Sequence, residues 1–285
     1  MKPDPVRIGV VGSVNLDIVA SVRRFPEPGE TITGASVERH PGGKGANQAL
    51  AARRLGADVY LLACLGADDM AGEALAGLTQ AGVNLDFCRY LDGYNTGLAL
   101  IWVSDEGENK IVVAPGANAA FGEDQLELPH VDALIAQLEI PQETIIAAAR
   151  GNNAFLTLNA APVRPLSRPL LERTDLLVVN EIEARAVGAE LTGFSGMMAT
   201  TYGRNGASLS QGGREIARAQ SPRVRAVDTT GAGDTFTAAL TVGLIEGLDP
   251  QAALQRACLA AAISVTRPGA QGSPTQEELA AFTPD

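Results

Sequence analysis

Five short apolar runs, four of them followed by a polar residue, constrain the fold more than any other feature. They cover residues 6–14, 58–65, 133–138, 155–158 and 176–179. Runs of this length and near-continuous apolar character are typical of parallel strands buried on both faces. Helical spacing recurs between the first and second runs, between the second and third runs, and after the last run. One such segment covers residues 70–81 and ends at Gly82. The pattern predicts an α/β fold with a mostly parallel central sheet.

The polar residues that follow these runs indicate a shared site. Glu139, Asn159 and Asn180 each follow an apolar run, and Asn15 and Asp17 follow the first one. In open α/β sheets, ligands bind outside the carboxyl ends of the strands. We therefore expect these side chains to meet at one edge of the sheet.

Two stretches break the alternation of strands and helices. Residues 18–40 contain β-prone pieces separated by Pro and Gly, and residues 87–114 contain three more. No helix fits these segments, so they predict a small accessory sheet whose strands are inserted at about 18–40 and 87–114. Without repeats, low-complexity tracts or linkers, the chain is predicted to form one domain over residues 1–285.

A glycine-rich stretch near the C-terminal end carries the strongest chemical signal. Residues 228–236 read DTTGAGDTF, and apolar residues after them recur at three- and four-residue steps, so a buried helix should begin at about Ala232. Amides around Gly231 and Gly233 can bind an anion at the helix N-terminus. Asp234 could accept a proton from an attacking hydroxyl, which suggests phosphoryl transfer to an alcohol. A glycine turn capped by Asp234 explains this stretch equally well when it is taken alone.

A second glycine-rich stretch, residues 41–48, opens another helix with Lys44 and Asn47. Glu38 and Gly45 stand where a Walker loop would have Gly and Ser or Thr, so this is not a Walker loop. Taken alone, Lys44 is as well explained as a surface charge.

Asn180 and Glu183 are spaced to lie on one face of the helix that they open. An amide and a carboxylate so placed could orient waters around Mg²⁺, which keeps several of them. The alternative is a helix-capping interaction, because Asn at the N-cap and Glu at N3 form such a pair.

Composition limits the partners. The chain has 22 Lys and Arg against 33 Asp and Glu, which gives a net charge of −11. This charge argues against nucleic acids and anionic membranes as partners, because both require concentrated positive charge. No apolar run reaches the length of a membrane span, and the first five residues do not form a signal peptide. Three separated cysteines argue against disulfides and a zinc site. We expect a soluble cytoplasmic protein with buried thiols.

Eight motifs in order resemble the ribokinase-like family of carbohydrate and nucleoside kinases over nearly the whole chain. They are GSVNLD at 12–17, GGKGANQ at 42–48, TG at 96–97, GEN at 107–109, GAN at 116–118, QLE at 137–139, NEIE at 180–183 and DTTGAGD at 228–234.

The resemblance implies a three-layer α/β/α sandwich with a β-sheet lid that covers the sugar and pairs two subunits as a homodimer. It implies that Asp234 is the catalytic base and that Gly231, Ala232 and Gly233 form the anion hole for the γ-phosphate. The residues matching sugar-binding positions are Asn15, Asp17, Gly43, Lys44, Asn47, Glu139 and Asp234.

The resemblance also implies ATP, Mg²⁺ and a monovalent cation, usually K⁺. Positions that match nucleotide, magnesium and phosphate contacts are Asn180, Glu183, Thr201, Gly203, Asn205, Gly206, Gly233 and Cys258. Positions that match the monovalent cation site are Asp228, Thr230, Ser264, Arg267, Gly269 and Ser273.

One segment departs from the family pattern. Only sixteen residues separate Glu183 from Thr200, and residues 189–199 make a poor helix. We therefore expect a trimmed or rearranged sheet beside the nucleotide.

The polar set at the sugar positions can bind several hydroxyls and offers no large apolar slot for a base. The chain is therefore predicted to be an ATP-dependent kinase for the primary hydroxyl of a pentose, D-ribose first. A kinase for a nucleoside or another sugar is the alternative, and a non-catalytic sugar or nucleotide sensor is a third.

Overall fold

The computed structural model describes residues 4–188 and 190–283. Its larger sheet has nine strands among these residues, in the order β13-β12-β11-β10-β9-β8-β1-β4-β5. The strands are β1 Arg7–Val11, β4 Asp58–Gly66, β5 Cys88–Leu91, β8 Ala133–Gln137, β9 Phe155–Asn159, β10 Leu176–Asn180, β11 Met197–Thr201, β12 Ala207–Gln211 and β13 Arg214–Ala219. Neighbours from β11 to β5 are parallel, and β12 and β13 join antiparallel at one edge.

Helices cover both faces of this sheet. They are α1 Lys44–Arg54, α2 Asp69–Ala81, α3 Gln142–Gly151, α4 Arg168–Arg173, α5 Glu181–Val187, α6 Ala232–Ile245, α7 Pro250–Ser264 and α8 Gln276–Ala281. Apolar residues of α1, α2 and α6 form one core with β1 and β4, while those of α3, α4 and α5 form a second core on the opposite face. The predicted three-layer α/β/α sandwich is confirmed.

The accessory sheet is a separate four-stranded unit, hereafter the lid. Its order is β3-β2-β6-β7, formed by β2 Asn15–Val22, β3 Ser36–Gly42, β6 Gly97–Ser104 and β7 Asn109–Ala114. β2 pairs antiparallel with β3 and parallel with β6. The first lid strand starts only four residues after β1 ends, so the chain passes directly from the larger sheet into the lid.

One boundary of the predicted lid was wrong. The β-prone piece at residues 87–91 forms β5, which pairs in parallel with β4 at the edge of the larger sheet. Buried Cys88 faces the core there, and its thiol contacts the Leu61 carbonyl oxygen at 3.5 Å. A short run of four residues carries too little pattern to show which sheet it will join.

The expectation of a trimmed sheet after Glu183 was also wrong. β11 pairs with β10 in parallel over five residue pairs, and β12 and β13 extend the sheet beyond it. The shortening falls on the crossover, because α5 has only seven residues and no further helix is described before β11. Residue 189, within the poor helix of the prediction, lies outside the described residues.

The three cysteines are free and buried, as predicted. Within residues 4–188 and 190–283, the structure contains no helix that combines the length and apolar character of a membrane span.

Candidate active site

Asp234 lies in the first turn of α6, at the edge of the sheet where the parallel strands end. The helix begins at Ala232 as predicted, and Gly231 precedes it in the left-handed conformation with φ 74°. A Cβ on Gly231 would lie 2.0 Å from the carbonyl oxygen of Ala270, so only glycine fits this turn. No atom lies within 4 Å of an ideal Cβ on Gly233, which leaves open space above the first helical amides.

The carboxylate of Asp234 is 4% exposed and is held by α1. Asn47 Nδ2 donates to Oδ2 at 3.0 Å, and Gln48 Nε2 donates to Oδ1 at 2.9 Å. Lys44 Nζ lies 4.0 Å from Oδ1, and this negative neighbour raises the pKa of the lysine. The fold thus brings together the two glycine-rich stretches, in which Asn47 and Asp234 lie 187 positions apart, and surrounds the Asp234 carboxylate with two amide donors and a lysine.

Asn47 has one polar atom that the protein does not satisfy. Its Oδ1 is buried and has no hydrogen-bond partner among the described residues, while its Nδ2 is bound to Asp234. A buried acceptor without a donor costs free energy, about 1–3 kcal/mol. A ligand hydroxyl beside Asp234 could donate to this oxygen, so the orphaned atom fits an alcohol substrate.

Glu139 joins α1 to the turn after β1. Its Oε2 accepts hydrogen bonds from the Lys44 amide at 3.0 Å and from Ser13 Oγ. The connection is tight because Gly43 has φ 89°, and a Cβ there would lie 2.7 Å from the Asn15 amide nitrogen. Backbone of the lid and of α1 therefore meets without intervening side chains, and the predicted sugar residues Gly43, Lys44 and Glu139 are neighbours.

The other predicted sugar residues, Asn15 and Asp17, lie on β2 of the lid. Asn118 fixes the start of that strand, because its Nδ2 donates to Asn15 Oδ1 at 2.8 Å and its Oδ1 accepts from the Val14 amide at 3.0 Å. Burial and then the neighbouring charge of Glu139 raise the pKa of Asp17 to about 6, against a lowering effect of His40. The two carboxylates are therefore close enough to interact, and carboxylate oxygens are acceptors suited to sugar hydroxyls.

Asn180 and Glu183 form the capping interaction that the sequence left open. Asn180 Oδ1 accepts from the amides of Ile182 and Glu183 at 2.9 Å, and Glu183 Oε2 accepts from the Asn180 amide at 2.7 Å. Burial raises the pKa of Glu183, with Lys44 lowering it and Asp234 raising it, so its charge acts on the same site. The capping role does not exclude the predicted water-mediated contact with Mg²⁺, which stays a prediction.

The remaining predicted nucleotide residues fall into two places. Thr201 ends β11 directly beside Asn180 in the sheet register, and a 3₁₀ turn at Gly203–Asn205 follows it. Gly206 closes that turn with φ 90°, where a Cβ would meet the Ala219 carbonyl oxygen at 2.0 Å. Cys258 lies instead in the core among α7, β12 and β13, and it is 4% exposed. Its predicted nucleotide contact stays a prediction.

The predicted cation residues surround the same loop that starts α6. Asp228 Oδ1 accepts from the Thr230 amide and Oδ2 accepts from the Gly269 amide, both at 2.9 Å. These hydrogen bonds outweigh partial burial and lower the pKa of Asp228. Ser264 and Arg267 are joined by a backbone hydrogen bond of 3.2 Å in the adjacent turn. Carboxylate and backbone carbonyl oxygens are the types of ligand that suit a monovalent cation.

Ser273 differs from the other predicted cation residues. Arg54 Nη1 donates to its carbonyl oxygen at 2.9 Å and to its Oγ at 3.2 Å. A guanidinium at this residue competes with a cation for the same oxygens. Elsewhere, no cluster of three or more His, Cys, Asp or Glu side chains arranged to hold a metal ion occurs among the described residues. Mg²⁺ can bind through phosphate oxygens and waters without such a cluster.

Sequence reasoning gave no role to four polar residues that the site uses. Ser13, Gln48, Asn118 and Gln137 are at most 1% exposed, and each donates or accepts a side-chain hydrogen bond at the site. Their signal was a polar residue at a position that the helix or strand pattern assigns to the core. Burial of such a group is costly unless it is hydrogen-bonded, so each of them marks a network.

Comparison with known proteins agrees with this geometry. A family model described as pfkB family carbohydrate kinase matches residues 7–277. Ribokinase of Bacillus subtilis is 40% identical over 287 residues, which cover 95% of this chain and 97% of that protein. The crystal structure of ribokinase from Thermotoga maritima superposes with a TM-score of 0.88 and 33% identity, covering 97% of this chain and 98% of that one. An Arabidopsis thaliana ribokinase complexed with ribose and ATP gives a TM-score of 0.87 at 29% identity, covering 98% and 100%.

Proposed function

Because the chain belongs to the pfkB family of carbohydrate kinases, we propose that it transfers the γ-phosphate of ATP to the primary hydroxyl of D-ribose. The observation that carries the proposal is the orphaned Oδ1 of Asn47 beside the carboxylate of Asp234. A hydroxyl that donates to one of these two side chains lies within reach of the other. That is the position an acceptor alcohol needs.

In this proposal, Asp234 accepts the proton of the attacking hydroxyl. Asn15, Asp17, Asn47 and Glu139 bind the other sugar hydroxyls, and Lys44 balances the negative charge of Asp234. Such a set positions the sugar, which is most of what phosphoryl transfer requires from a protein. The lid carries Asn15 and Asp17, so it would close over the sugar and exclude water as a competing acceptor.

ATP would supply the phosphoryl group and Mg²⁺ would neutralise its oxygens. The N-terminal amides of α6, around Gly231, Ala232 and Gly233, fit an anion because they open a helix of fourteen residues and because the space at Gly233 is open. Asn180, Glu183, Thr201, Gly203, Asn205 and Gly206 would hold the nucleotide and orient magnesium-bound waters. Asp228, Thr230, Ser264, Arg267 and Gly269 would hold K⁺ or another monovalent cation, and Ser273 would join them only if Arg54 releases its oxygens.

Replacement of Asp234 by Asn tests the base. The change keeps the shape of the side chain and removes the proton acceptor, so turnover should fall about 10²- to 10⁴-fold. Ribose binding, measured by titration calorimetry, should stay within a few-fold of the wild type. A D234N variant that retains most of its turnover would contradict the assignment.

A coupled assay of ADP release separates the candidate acceptors. It compares ribose, fructose, 2-deoxyribose, adenosine and pseudouridine at equal concentrations. Ribose should give the highest kcat/KM, since the pocket has carboxylate and amide groups for several hydroxyls. Preference for a nucleoside would move the assignment to the alternative, and binding without ADP release would support a sensor.

We further infer that the protein forms a homodimer through its lid. All six residues of β7 are exposed, and Val37, Trp102 and Val112 of the lid are 61%, 43% and 62% exposed. An open sheet with apolar side chains and unpaired edges requires cover, and a second lid of the same sequence would supply it. The cytoplasmic location stays a prediction and agrees with a reaction that consumes ATP.

A further inference from the structure

We infer that Gln48 is a positioning residue for the Asp234 carboxylate, and that Gln137 and Asn159 fix the orientation of the Gln48 amide. The inference rests on the proposed role of Asp234 as the base. It concerns a buried chain of amides that ends in a hydrogen bond to this carboxylate. Gln48 and Gln137 were given no role by the sequence, and Asn159 was expected only to lie at the same edge of the sheet as the site.

The chain of amides joins three elements. Gln48 on α1 donates from Nε2 to Asp234 Oδ1 at 2.9 Å and also to Asn159 Oδ1 at 3.2 Å. Gln137, at the end of β8, donates from Nε2 to Gln48 Oε1 at 2.7 Å. Asn159, at the end of β9, donates from Nδ2 to the Val178 carbonyl oxygen at 3.3 Å. The position of Asp234 Oδ1 is thus tied to two central strands of the sheet.

These donors and acceptors match in only one orientation of Gln48. Asp234 Oδ1 and Asn159 Oδ1 can only accept, so the Gln48 NH₂ group must face them. Gln137 presents its NH₂ group to Gln48, so the Gln48 oxygen must face Gln137. A rotation of the Gln48 amide by 180° would place oxygen against both acceptors and NH₂ against a donor. The network therefore holds an NH₂ group on the base.

The network is costly as a purely structural device. Gln48 and Gln137 are both fully buried, and Gln137 Oε1 has no partner among the described residues. Gly12 is needed beside it, because a Cβ there would lie 2.1 Å from that oxygen. Apolar side chains of similar volume would fill the space without an unsatisfied oxygen, and such replacements are often neutral for stability. Retention of three amides here points to the group that they hold.

Gln48 differs from Asn47 in what a bound sugar would change. Asn47 Oδ1 has no partner among the described residues, so this side chain has an acceptor left for a sugar hydroxyl. Both polar atoms of the Gln48 amide are already hydrogen-bonded within the protein, so a bound sugar would leave its partners unchanged. Its bond to Oδ1 would persist through the reaction and leave Oδ2 to take the proton. Loss of this bond would let the carboxylate rotate away from the attacking hydroxyl.

The test replaces Gln48 by Met and by Glu in the full-length protein. Q48M keeps the length of the side chain and removes the donor, so kcat should fall about 10- to 100-fold, as for a misplaced reacting group. The KM for ribose and the dissociation constant for ribose should change less than threefold. Q48E should lose more at pH 8, because a carboxylate would then face Asp234. Its kcat relative to the wild type should recover toward pH 5, where the introduced carboxyl is protonated and can donate.

Thr174→Val is the matched control for the loss of one buried hydrogen bond. Thr174 is 5% exposed, donates from Oγ1 to the Leu170 carbonyl oxygen at 2.8 Å, and lies before β10 at the opposite edge of the sheet. T174V should lower the thermal midpoint and leave kcat unchanged. The double variant Q48M/D234N should be no slower than D234N alone, because a positioning group has no effect once the base is absent.

Each outcome decides between positioning and structure. A D234N variant with nearly full turnover would overturn the proposed base and not the contacts of Gln48. If D234N loses its turnover but Q48M keeps a kcat within twofold of the wild type, the positioning role of Gln48 is overturned. Equal losses from Q48M in the Asp234 and D234N backgrounds, or a Q48E variant whose relative kcat does not depend on pH, would also overturn it. The circular dichroism spectrum and thermal midpoint of each variant show whether it is folded.

Discussion

Asp17 is a carboxylic acid whose pKa is raised first by burial and then by a neighbouring carboxylate. The fold buries much of its carboxyl and places Glu139 nearby, and both effects raise its pKa to about 6, although His40 lowers it. A folded pKa above the usual value of 3.8 means that the folded state binds more protons than the unfolded state between these two values. Ionisation of Asp17 therefore reduces the free energy of unfolding as the pH rises through this window.

The same shift predicts the pH dependence of sugar binding. If ionised Asp17 accepts from a sugar hydroxyl, affinity for ribose should be full at pH 8 and weaker by about 10-fold at pH 5, one unit below its pKa. Titration calorimetry at both pH values measures the difference. D17N should bind weakly with no such dependence, and H40Q should shift the transition to higher pH. An affinity constant from pH 5 to 8 would contradict the role of the Asp17 carboxylate.

At the scale of single residues, the sequence predicted which residues lie at the site, but it did not predict the hydrogen bonds that position the Asp234 carboxylate. The family resemblance placed Asp234, Asn47 and Lys44 at one site, and in the structure Asn47 and Lys44 both lie beside the Asp234 carboxylate. The contact between Gln48 and Asp234 depends on the angle at which α1 crosses α6 behind the sheet. No local pattern encodes that angle, so Gln48 and Gln137 were recognised as part of motifs without a role.

Among the elements, α6 depends most on a single backbone conformation at its start. Gly231 has φ 74° and no room for a Cβ beside the Ala270 carbonyl oxygen. The turn it makes is what directs the first amides of the helix into open space and brings Asp228 to the neighbouring loop. The central strands, such as those predicted at 133–138 and 176–179, could be predicted from the sequence because their apolar pattern is local.

Replacement of Gly231 by Ala should therefore damage both stability and activity. The left-handed conformation alone costs a residue with a Cβ about 1–2 kcal/mol, and the contact with Ala270 adds to this. Urea unfolding and the ADP-release assay measure the two effects. Gly72→Ala is the control, since Gly72 is helical in α2 with nothing within 4 Å of its ideal Cβ, and it should stabilise by about 0.5–1 kcal/mol. Equal stability of G231A and the wild type would contradict the strain.

Two elements were mispredicted for physical reasons of their own. β5 at Cys88–Leu91 was assigned to the lid, but it pairs with β4 of the larger sheet. Its short pattern indicates a strand but does not indicate which strand it will pair with. The segment before β11 lacks helical pattern, and the sheet nevertheless continues, because five backbone pairs with β10 do not need a long helix between the strands. Pairing partners are long-range information that a short segment does not contain.

At the scale of the whole molecule, the proposed homodimer depends on the lid. Its exposed apolar residues should be covered by a second subunit, so light scattering at micromolar concentration should give twice the chain mass. Trp102→Glu should convert the protein to a monomer, because a charge at a 43% exposed indole would be buried in the interface. Ile216→Glu is the control, since Ile216 is 42% exposed on β13 of the larger sheet. A monomeric wild type would contradict lid pairing.

β1 passes into β2 through only three residues, so the strand that anchors the molecule and the strand that carries Asn15 and Asp17 are nearly continuous. Asn15 and Asp17, the proposed sugar contacts on the lid, and Asp234, the proposed base on α6, lie more than 200 residues apart in the sequence. Substitutions in the lid can therefore change the acceptor alcohol while the proposed phosphate-binding turn at the start of α6 stays the same.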